Sequence, residues 1–256
     1  MITDHVNVEQ NGGVLEITFA RPEKKNALSN AMYRAVIAAL DDAEKDPDIR
    51  VVLLAAQGDD FTAGNDLADF ADFATGKSEG LAAFAFVEAL GRASKPIIAA
   101  VSGLAVGIGT TMLLNFDLVF MADGAKLITP FVNLALVPEA ASSMLMPERI
   151  GHARAFAMFA LGEPMSAAEA FSLGLANKLL PKGEVLPAAR QAARTLAARP
   201  HGSIVATKNL MRDKQRILSR MAEEVTVFSQ RLHTGEAREA FQAFAEHRQP
   251  DFTKAA

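Results

Sequence analysis

The sequence predicts an α/β fold whose last third is helical. In the first half, several short apolar runs have the length of buried strands, and the first two are separated by a segment long enough for a helix. From Ala140 onward, most of the chain shows helical periodicity instead. With 256 residues, half of them hydrophobic, the chain is long enough for one large core or two modest domains.

The strands of the first half are predicted at 14–19, 51–55, 97–101, 118–121 and 126–128. A helix is predicted over 29–45, with Ser29 as its N-cap, and Pro47 ends it because proline cannot continue a helix. Further helices are predicted at 110–115, 140–148, 184–198, 203–212, 214–232 and 235–246. Ser166 and Glu169 form a predicted capping box, in which the Glu169 side chain reaches back to the Ser166 N–H.

The composition excludes several classes of function. The chain has 26 basic and 30 acidic residues, a net charge of −4 that argues against nucleic-acid binding. It has no apolar run long enough to span a membrane and no N-terminal secretory pattern. It contains no cysteine, and its five histidines lack carboxylate partners at metal-ligand spacing, so no metal site is expected. Because the C-terminal residues are not Ser-Lys-Leu, a cytoplasmic location is expected.

Two glycine-containing breaks follow predicted buried strands. The strand at 51–55 leads to Ala63-Gly64-Asn65-Asp66, and the strand at 97–101 leads to a segment with Gly103, Gly107 and Gly109. Glycine turns leave backbone N–H groups open to a ligand, and two such groups from neighbouring strand ends can converge on one oxygen. This is the design of an oxyanion hole, although a close-packed turn would also need these glycines.

The run from Ala63 to Leu67, together with the segment 95–109, resembles the signature of the crotonase superfamily of enoyl-CoA hydratases and isomerases. The resemblance covers nearly the whole chain, including the segment 21–28. It implies a spiral of ββα units over residues 1–200, which holds the acyl-CoA site. It also implies a helical module over 201–256 that forms homotrimers, often stacked as hexamers.

The resemblance assigns the two oxyanion N–H donors to Ala63 and Ile108, with Gly107 aiming the second. It places the adenine and pantetheine of coenzyme A near residues 63–67 and the phosphates near Lys24 and Lys25. The implied substrate- and CoA-binding set is Lys24, Lys25, Ala27, Ala63, Gly64, Asn65, Asp66, Leu67, Gly107 and Phe131. No cofactor is expected apart from the coenzyme A of the thioester substrate.

Some of these residues also have purely structural interpretations. Lys24 and Lys25 could be surface charges of a turn, and Asp66 could brace its own loop. Phe70 and Phe73 could either pack onto the body of the protein or line an acyl tunnel.

The residue types at the catalytic positions argue against hydration. Hydratases of this superfamily hold a water between two glutamates, and here those positions are Thr111 and Phe131. Neither side chain can deprotonate water. A carboxylate does occur at Glu139, between Pro138 and a predicted helix, where it could be no more than a favourable charge at a helix start.

The segments around Gly107, Phe131 and Glu139 resemble the peroxisomal-type Δ3,Δ2-enoyl-CoA isomerases, in which a glutamate at the Glu139 position is the single acid/base. That resemblance implies double-bond transfer from 3-enoyl-CoA to 2-enoyl-CoA. An apolar pocket containing Phe131 and Leu134 would raise the basicity of Glu139. The alternatives are an enoyl-CoA hydratase, another crotonase-type reaction, or a CoA-binding protein without catalysis.

Overall fold

A six-stranded, mostly parallel sheet forms the centre of the molecule. The computed structural model describes residues 3–66, 68–69, 81–246 and 248–254. The strands in this part are β1 (Val6–Asn11), β2 (Val14–Phe19), β3 (Val51–Ala56), β4 (Ile97–Val101), β5 (Leu104–Val106), β6 (Leu118–Ala122), β7 (Lys126–Ile128), β8 (Met165–Ser166) and β9 (Lys178–Leu180).

The large sheet has the strand order β1-β2-β3-β4-β6-β9, and a second sheet has the order β5-β7-β8. In the large sheet, β1 pairs antiparallel with β2 and the remaining pairs are parallel. Every residue of β4 is buried, as expected for a parallel strand covered on both faces. Because β3 and β4 are adjacent, the two glycine-containing loops that follow them leave the same edge of the sheet.

The five predicted strands are confirmed, while β1, β5, β8 and β9 were not predicted. β1 has only one buried residue, and β5, β8 and β9 are too short to show a period. The helices are α1 (Asn30–Lys45), α2 (Ala82–Arg92), α3 (Ile108–Thr111), α4 (Ser142–Ile150), α5 (His152–Leu161), α6 (Ala167–Ser172), α7 (Lys182–Ala197), α8 (His201–Met211), α9 (Lys214–Leu232) and α10 (Gly235–Ala245).

The N-cap of α1 is confirmed, since the Ser29 side chain accepts from the Met32 N–H at 3.3 Å. The predicted capping box of α6 is only half correct. The Ser166 hydroxyl accepts from the Glu169 N–H at 3.2 Å, but the Glu169 carboxylate binds Arg154 at 2.5 Å rather than reaching back. The guanidinium offers a charge-assisted partner, which is stronger than a backbone N–H.

Four helix starts differ from the prediction: α7 begins at Lys182 and α8 at His201, each two residues earlier than predicted, and the starts of α3 and α4 also differ. α4 begins at Ser142 rather than Ala140, because Ala140 and Ala141 have φ angles of 61° and 58°, which are incompatible with a right-handed helix. The helix predicted at 110–115 is instead a short turn of α-helix, α3, followed by a 3₁₀ turn over Met112–Asn115.

The C-terminal helices pack over the core. α9 lies so close to α2 that a Cβ on Gly91 would approach the Met221 sulfur to 2.8 Å. α8 begins at His201, where the helical module is predicted to begin; the division into two domains and the trimer stay predictions. Among the described residues, no helix is both long enough and apolar enough to cross a membrane.

Candidate active site

The loops after β3 and β4 run side by side and are joined by backbone hydrogen bonds. The Thr62 N–H donates to Leu104 O at 3.0 Å, and the Val106 N–H donates to Thr62 O at 3.0 Å. A Cβ on Gly64 would lie 2.7 Å from the Val106 carbonyl oxygen, so only glycine allows this approach. The two segments predicted to form one site are therefore in direct contact.

The first predicted oxyanion donor is wrong. The Ala63 N–H already donates to Lys25 O at 2.8 Å, and one amide proton cannot serve both acceptors. Leu28 forms backbone hydrogen bonds to the residues on either side of Asn65: its N–H donates to Gly64 O, and its carbonyl accepts from the Asp66 N–H. In this parallel bridge, the N–H of Asn65 faces away from Leu28. No acceptor within the described residues bonds it, so Asn65 replaces Ala63 as the candidate donor.

The second predicted donor is free in this part of the molecule. Ile108 is the first residue of α3, and its N–H has no acceptor among the residues described here. Gly107 precedes it with φ 56° and ψ −117°, a combination that favours glycine. A Cβ on Gly64 would lie 3.9 Å from the Gly107 nitrogen, so Asn65 and Ile108 each directly follow the point where the two loops touch.

Glu139 lies beside these loops with its carboxylate buried. One oxygen accepts from the Thr111 hydroxyl at 2.6 Å, and the other is buried without a hydrogen-bond partner among the described residues. Burial raises the pKa of Glu139 to about 8; the Thr111 hydrogen bond opposes this shift and the charge of Glu224 adds to it. The result is a carboxyl group with one held oxygen, one unpartnered oxygen and enhanced basicity.

The two residues at the hydratase glutamate positions have different structural roles. Thr111, at the end of α3, is fully buried and holds the carboxylate oxygen. Phe131 is buried in an apolar cluster with Leu136, and Leu134 packs against the same cluster. Its other buried members come from the start of α2 and from α9, and they are Leu81, Phe228 and Leu232. The C-terminal part of the chain thus contributes to the apolar wall that contains Phe131.

Sequence reasoning missed Tyr33, the single tyrosine of the chain. It is buried on α1, and its hydroxyl donates to the Asn65 side-chain oxygen at 2.6 Å. Burial raises its pKa well above the usual value, and the nearby charges of Glu139 and Asp69 add to the effect. A tyrosine on the apolar face of a helix gave no functional signal in sequence, because most such residues belong to the core.

Some of the candidate CoA-binding residues are exposed, whereas others have a structural role in the loop. Lys24 and Lys25 are exposed on the segment that runs against the first glycine loop, where Lys25 O accepts from the Ala63 N–H. Asp66 is a loop brace, since it binds Arg21 at 2.6 Å and accepts from the Ala68 N–H at 3.1 Å. Ala27 is half-buried on the same segment as the lysines. Leu67, Phe70 and Phe73 lie outside the described residues.

A separate cavity of about 820 Å³ lies between the core and helices α8 and α9. It is lined by both apolar and charged side chains, including Phe116, Arg149, Ile204 and Lys208. Neither Glu139 nor the two candidate N–H donors line it, so it is distinct from the candidate active site. In the described part of the chain, no cluster of three or more histidine or acidic residues could hold a metal ion.

Comparison with known proteins identifies the family of the chain. Residues 9–255 match the family model described as enoyl-CoA hydratase/isomerase. The chain is 35% identical to "Enoyl-CoA delta isomerase 2" of Rattus norvegicus over 93% of its own length, and it spans 62% of that relative. It is 30% identical to a "Probable enoyl-CoA hydratase" of Mycobacterium tuberculosis over 99% of both chains.

Among solved structures, the fold matches an enoyl-CoA hydratase/isomerase from Pseudoalteromonas atlantica with a TM-score of 0.92 and 37% identity. The match covers 97% of this chain and 100% of the other, which confirms the crotonase-like fold predicted from the glycine motifs. The resemblance seen in sequence, the parallel sheet with its two joined loops and the full-length match lead to one conclusion: the chain belongs to the enoyl-CoA hydratase/isomerase family.

Proposed function

We propose that this chain is an enoyl-CoA isomerase that converts 3-enoyl-CoA to 2-enoyl-CoA with Glu139 as its single acid/base. The observation that carries the proposal is the state of the Glu139 carboxylate. It is buried, has one oxygen held by Thr111 and the other unpartnered within the described residues, and has a pKa raised to about 8. A free glutamate has a pKa of about 4.3 and would be a far weaker base.

In the proposed reaction, the unpartnered oxygen of Glu139 removes a proton from C2 of the substrate. The electron pair moves onto the thioester oxygen and forms a dienolate, which the N–H groups of Asn65 and Ile108 stabilise. Glu139 then returns the proton at C4, and the double bond moves from C3–C4 to C2–C3. The proton that is taken is the proton that is returned, so this reaction needs neither a metal ion nor a cofactor beyond the coenzyme A of the substrate.

The surroundings of Glu139 support isomerisation over hydration. Hydration by the two-glutamate mechanism requires a second carboxylate to activate water, and Thr111 and Phe131 supply none. Phe131 itself is buried in an apolar cluster, which keeps water away from its side chain. The name of the rat relative, an enoyl-CoA delta isomerase, agrees with this proposal, whereas that of the mycobacterial relative favours the hydratase alternative.

The coenzyme A moiety is proposed to bind at the exposed edge formed by Lys24 and Lys25, next to the first glycine loop. Their positive charges suit the phosphate groups of an acyl-CoA. Assembly as a homotrimer or hexamer and a cytoplasmic location stay predictions. Light scattering at micromolar concentration tests the first, because a stable monomer would contradict it.

Separate incubation of the purified protein with 3-hexenoyl-CoA and with crotonyl-CoA tests the proposal. We expect the first substrate to be converted to its conjugated isomer, followed by the ultraviolet absorbance of the product. We expect little loss of absorbance from the second, because loss would report hydration of its double bond. Hydration of crotonyl-CoA without isomerisation of 3-hexenoyl-CoA would favour the hydratase alternative. Binding of coenzyme A without either reaction would favour a non-catalytic protein.

A further inference from the structure

The segment 137–143, called the base loop here, carries Glu139 in a strained backbone. Ala140 and Ala141 are consecutive non-glycine residues in the left-handed region, with φ angles of 61° and 58°. Non-glycine residues rarely adopt this conformation, and they keep it only where the surroundings hold them there. The base loop therefore needs supporting contacts from elsewhere in the molecule.

Those contacts come from two distant side chains. The Asn115 amide donates to Ala140 O at 2.9 Å. Glu224, on α9 and 83 positions further along the chain, accepts from the Ala141 N–H at 2.6 Å with one carboxylate oxygen. Its other oxygen accepts from the Ser143 N–H at 2.9 Å. Each carboxylate oxygen of Glu224 thus accepts one hydrogen bond, from the residues on either side of Ser142, where α4 begins.

The environment of Glu224 is costly for a carboxylate. Glu224 is only 6% exposed, and burial raises the pKa of its carboxyl group. Arg220, one turn earlier on α9, acts on it electrostatically, but its guanidinium lies 3.3 Å from the carboxylate of Glu223 instead. Burying a carboxylate without a directly paired cation is unfavourable, so stability alone gives little reason for a charged residue at this position.

We propose that Glu224 is a positioning residue: its two hydrogen bonds hold the base loop in the conformation that directs Glu139 at the substrate. The C-terminal helix α9 thereby completes the site of the core. This inference rests on the proposed function, because Glu139 is the base only in that reaction.

Glu224 also influences Glu139 electrostatically. The groups that shift the pKa of the Glu139 carboxyl are Thr111 on α3 and Glu224 on α9, and the charge of Glu139 in turn raises the pKa of Tyr33 on α1. The negative charge of Glu224 raises the pKa of Glu139, whereas the Thr111 hydrogen bond lowers it. Replacing Glu224 with a neutral residue should therefore lower the pH at which Glu139 ionises.

Two variants of Glu224 separate its position from its charge. Glu224→Gln keeps the shape and one acceptor but removes the charge, and Glu224→Asp keeps the charge but withdraws the carboxylate by one methylene. Glu223→Gln is the matched control, because it removes the same charge from an exposed neighbour on the same helix. The measurements are kcat, KM and the pH profile of kcat for isomerisation, with the melting temperature as a check on folding.

For Glu224→Gln we expect kcat to fall at least about 10-fold with KM changed less than about threefold, and the acid limb of the profile to move to lower pH. For Glu224→Asp we expect kcat to fall as well, while the acid limb stays near that of the parent. Parental kcat in both variants, or a fall in kcat with an unmoved acid limb in Glu224→Gln, would overturn the proposal. If Glu224→Gln does not fold, Glu224→Asp alone decides it through kcat.

Amide hydrogen exchange separates a failure here from a failure of the proposed function. The Ala141 and Ser143 amides should be protected in the parent and in Glu223→Gln, and at least one of them should lose protection in Glu224→Gln, which keeps a single acceptor. Retained protection would overturn the role of Glu224 whatever the protein catalyses. Lost protection in a protein without isomerase activity would leave Glu224 as the support of the loop and reject the reaction.

Discussion

The two halves of the candidate active site are held in place in different ways. The loops after β3 and β4 are joined by backbone hydrogen bonds, such as those of Thr62 with Leu104 and Val106. The base loop is held by side chains from separate elements, with Thr111 on the carboxylate of Glu139 and Asn115 and Glu224 on the backbone. One half depends on glycines and main-chain geometry, and the other depends on individual side chains.

This difference assigns a separate task to each half. A frame of backbone N–H groups stabilises negative charge on a thioester oxygen whatever the next step of the reaction is. The position and basicity of the carboxylate decide which proton moves. Enzymes of one fold can therefore share the first half and differ in the second, so the reaction must be argued from the base loop.

The largest expected effect comes from removing the base. Glu139→Gln keeps the shape and can still accept from Thr111, but it cannot take a proton. Isomerisation of 3-enoyl-CoA should fall by at least about 10²-fold, the usual scale of general acid–base catalysis. Coenzyme A binding should change little, because Lys24 and Lys25 lie on another segment.

Glu163→Gln is the control for that experiment. Glu163 is exposed and pairs only loosely with Arg154, at 3.5 Å, and surface ion pairs of this kind contribute little to stability. Its activity should match the parent. Full isomerase activity in Glu139→Gln would contradict the role of this residue and direct the search for the base to Asp66.

The difference between the two halves of the site also explains which of its features could be predicted from the sequence. The strands around 51–55 and 97–101 and the glycine loops after them were predicted because their signals lie within a few consecutive residues. The donor was misassigned to Ala63 because only the pairing with Lys25 shows which N–H is already used. The support of Glu139 by Glu224 could not be predicted, because it joins residues far apart in the chain through a backbone that no local pattern indicates.

A smaller effect should follow from disturbing the loops after β3 and β4. Gly107→Ala adds a methyl that would meet nothing within 4 Å, so any effect must come from its φ of 56° rather than from a clash. Strain of this kind costs about 1–3 kcal/mol, and a shift of the backbone would redirect the Ile108 N–H. We expect turnover to fall about 10-fold, less than for complete loss of a donor.

Gly124→Ala is the matched control, since its added methyl also meets nothing within 4 Å and its φ is not positive. Turnover and melting temperature should stay close to those of the parent. If Gly107→Ala were equally unaffected in both measurements, the Ile108 N–H would not depend on this turn, and the backbone frame would need another origin.

The smallest expected change concerns the hydroxyl that holds Glu139. Thr111→Val keeps the side-chain shape but removes the hydrogen bond at 2.6 Å, which lowers the pKa of Glu139 by stabilising its ionised form. Without it the pKa should rise above its present value of about 8. Since only the ionised carboxylate takes a proton from C2, the acid limb of the kcat profile should move to higher pH, opposite to its direction in Glu224→Gln. Turnover at pH 7 should fall several-fold and recover in part at alkaline pH.

Thr195→Val, which removes an exposed hydroxyl bonded to Gln191 O on α7, is the control and should leave the profile unchanged. An unmoved acid limb in Thr111→Val would mean that another group sets the limb, and the assignment of Glu139 as the titrating base would fail.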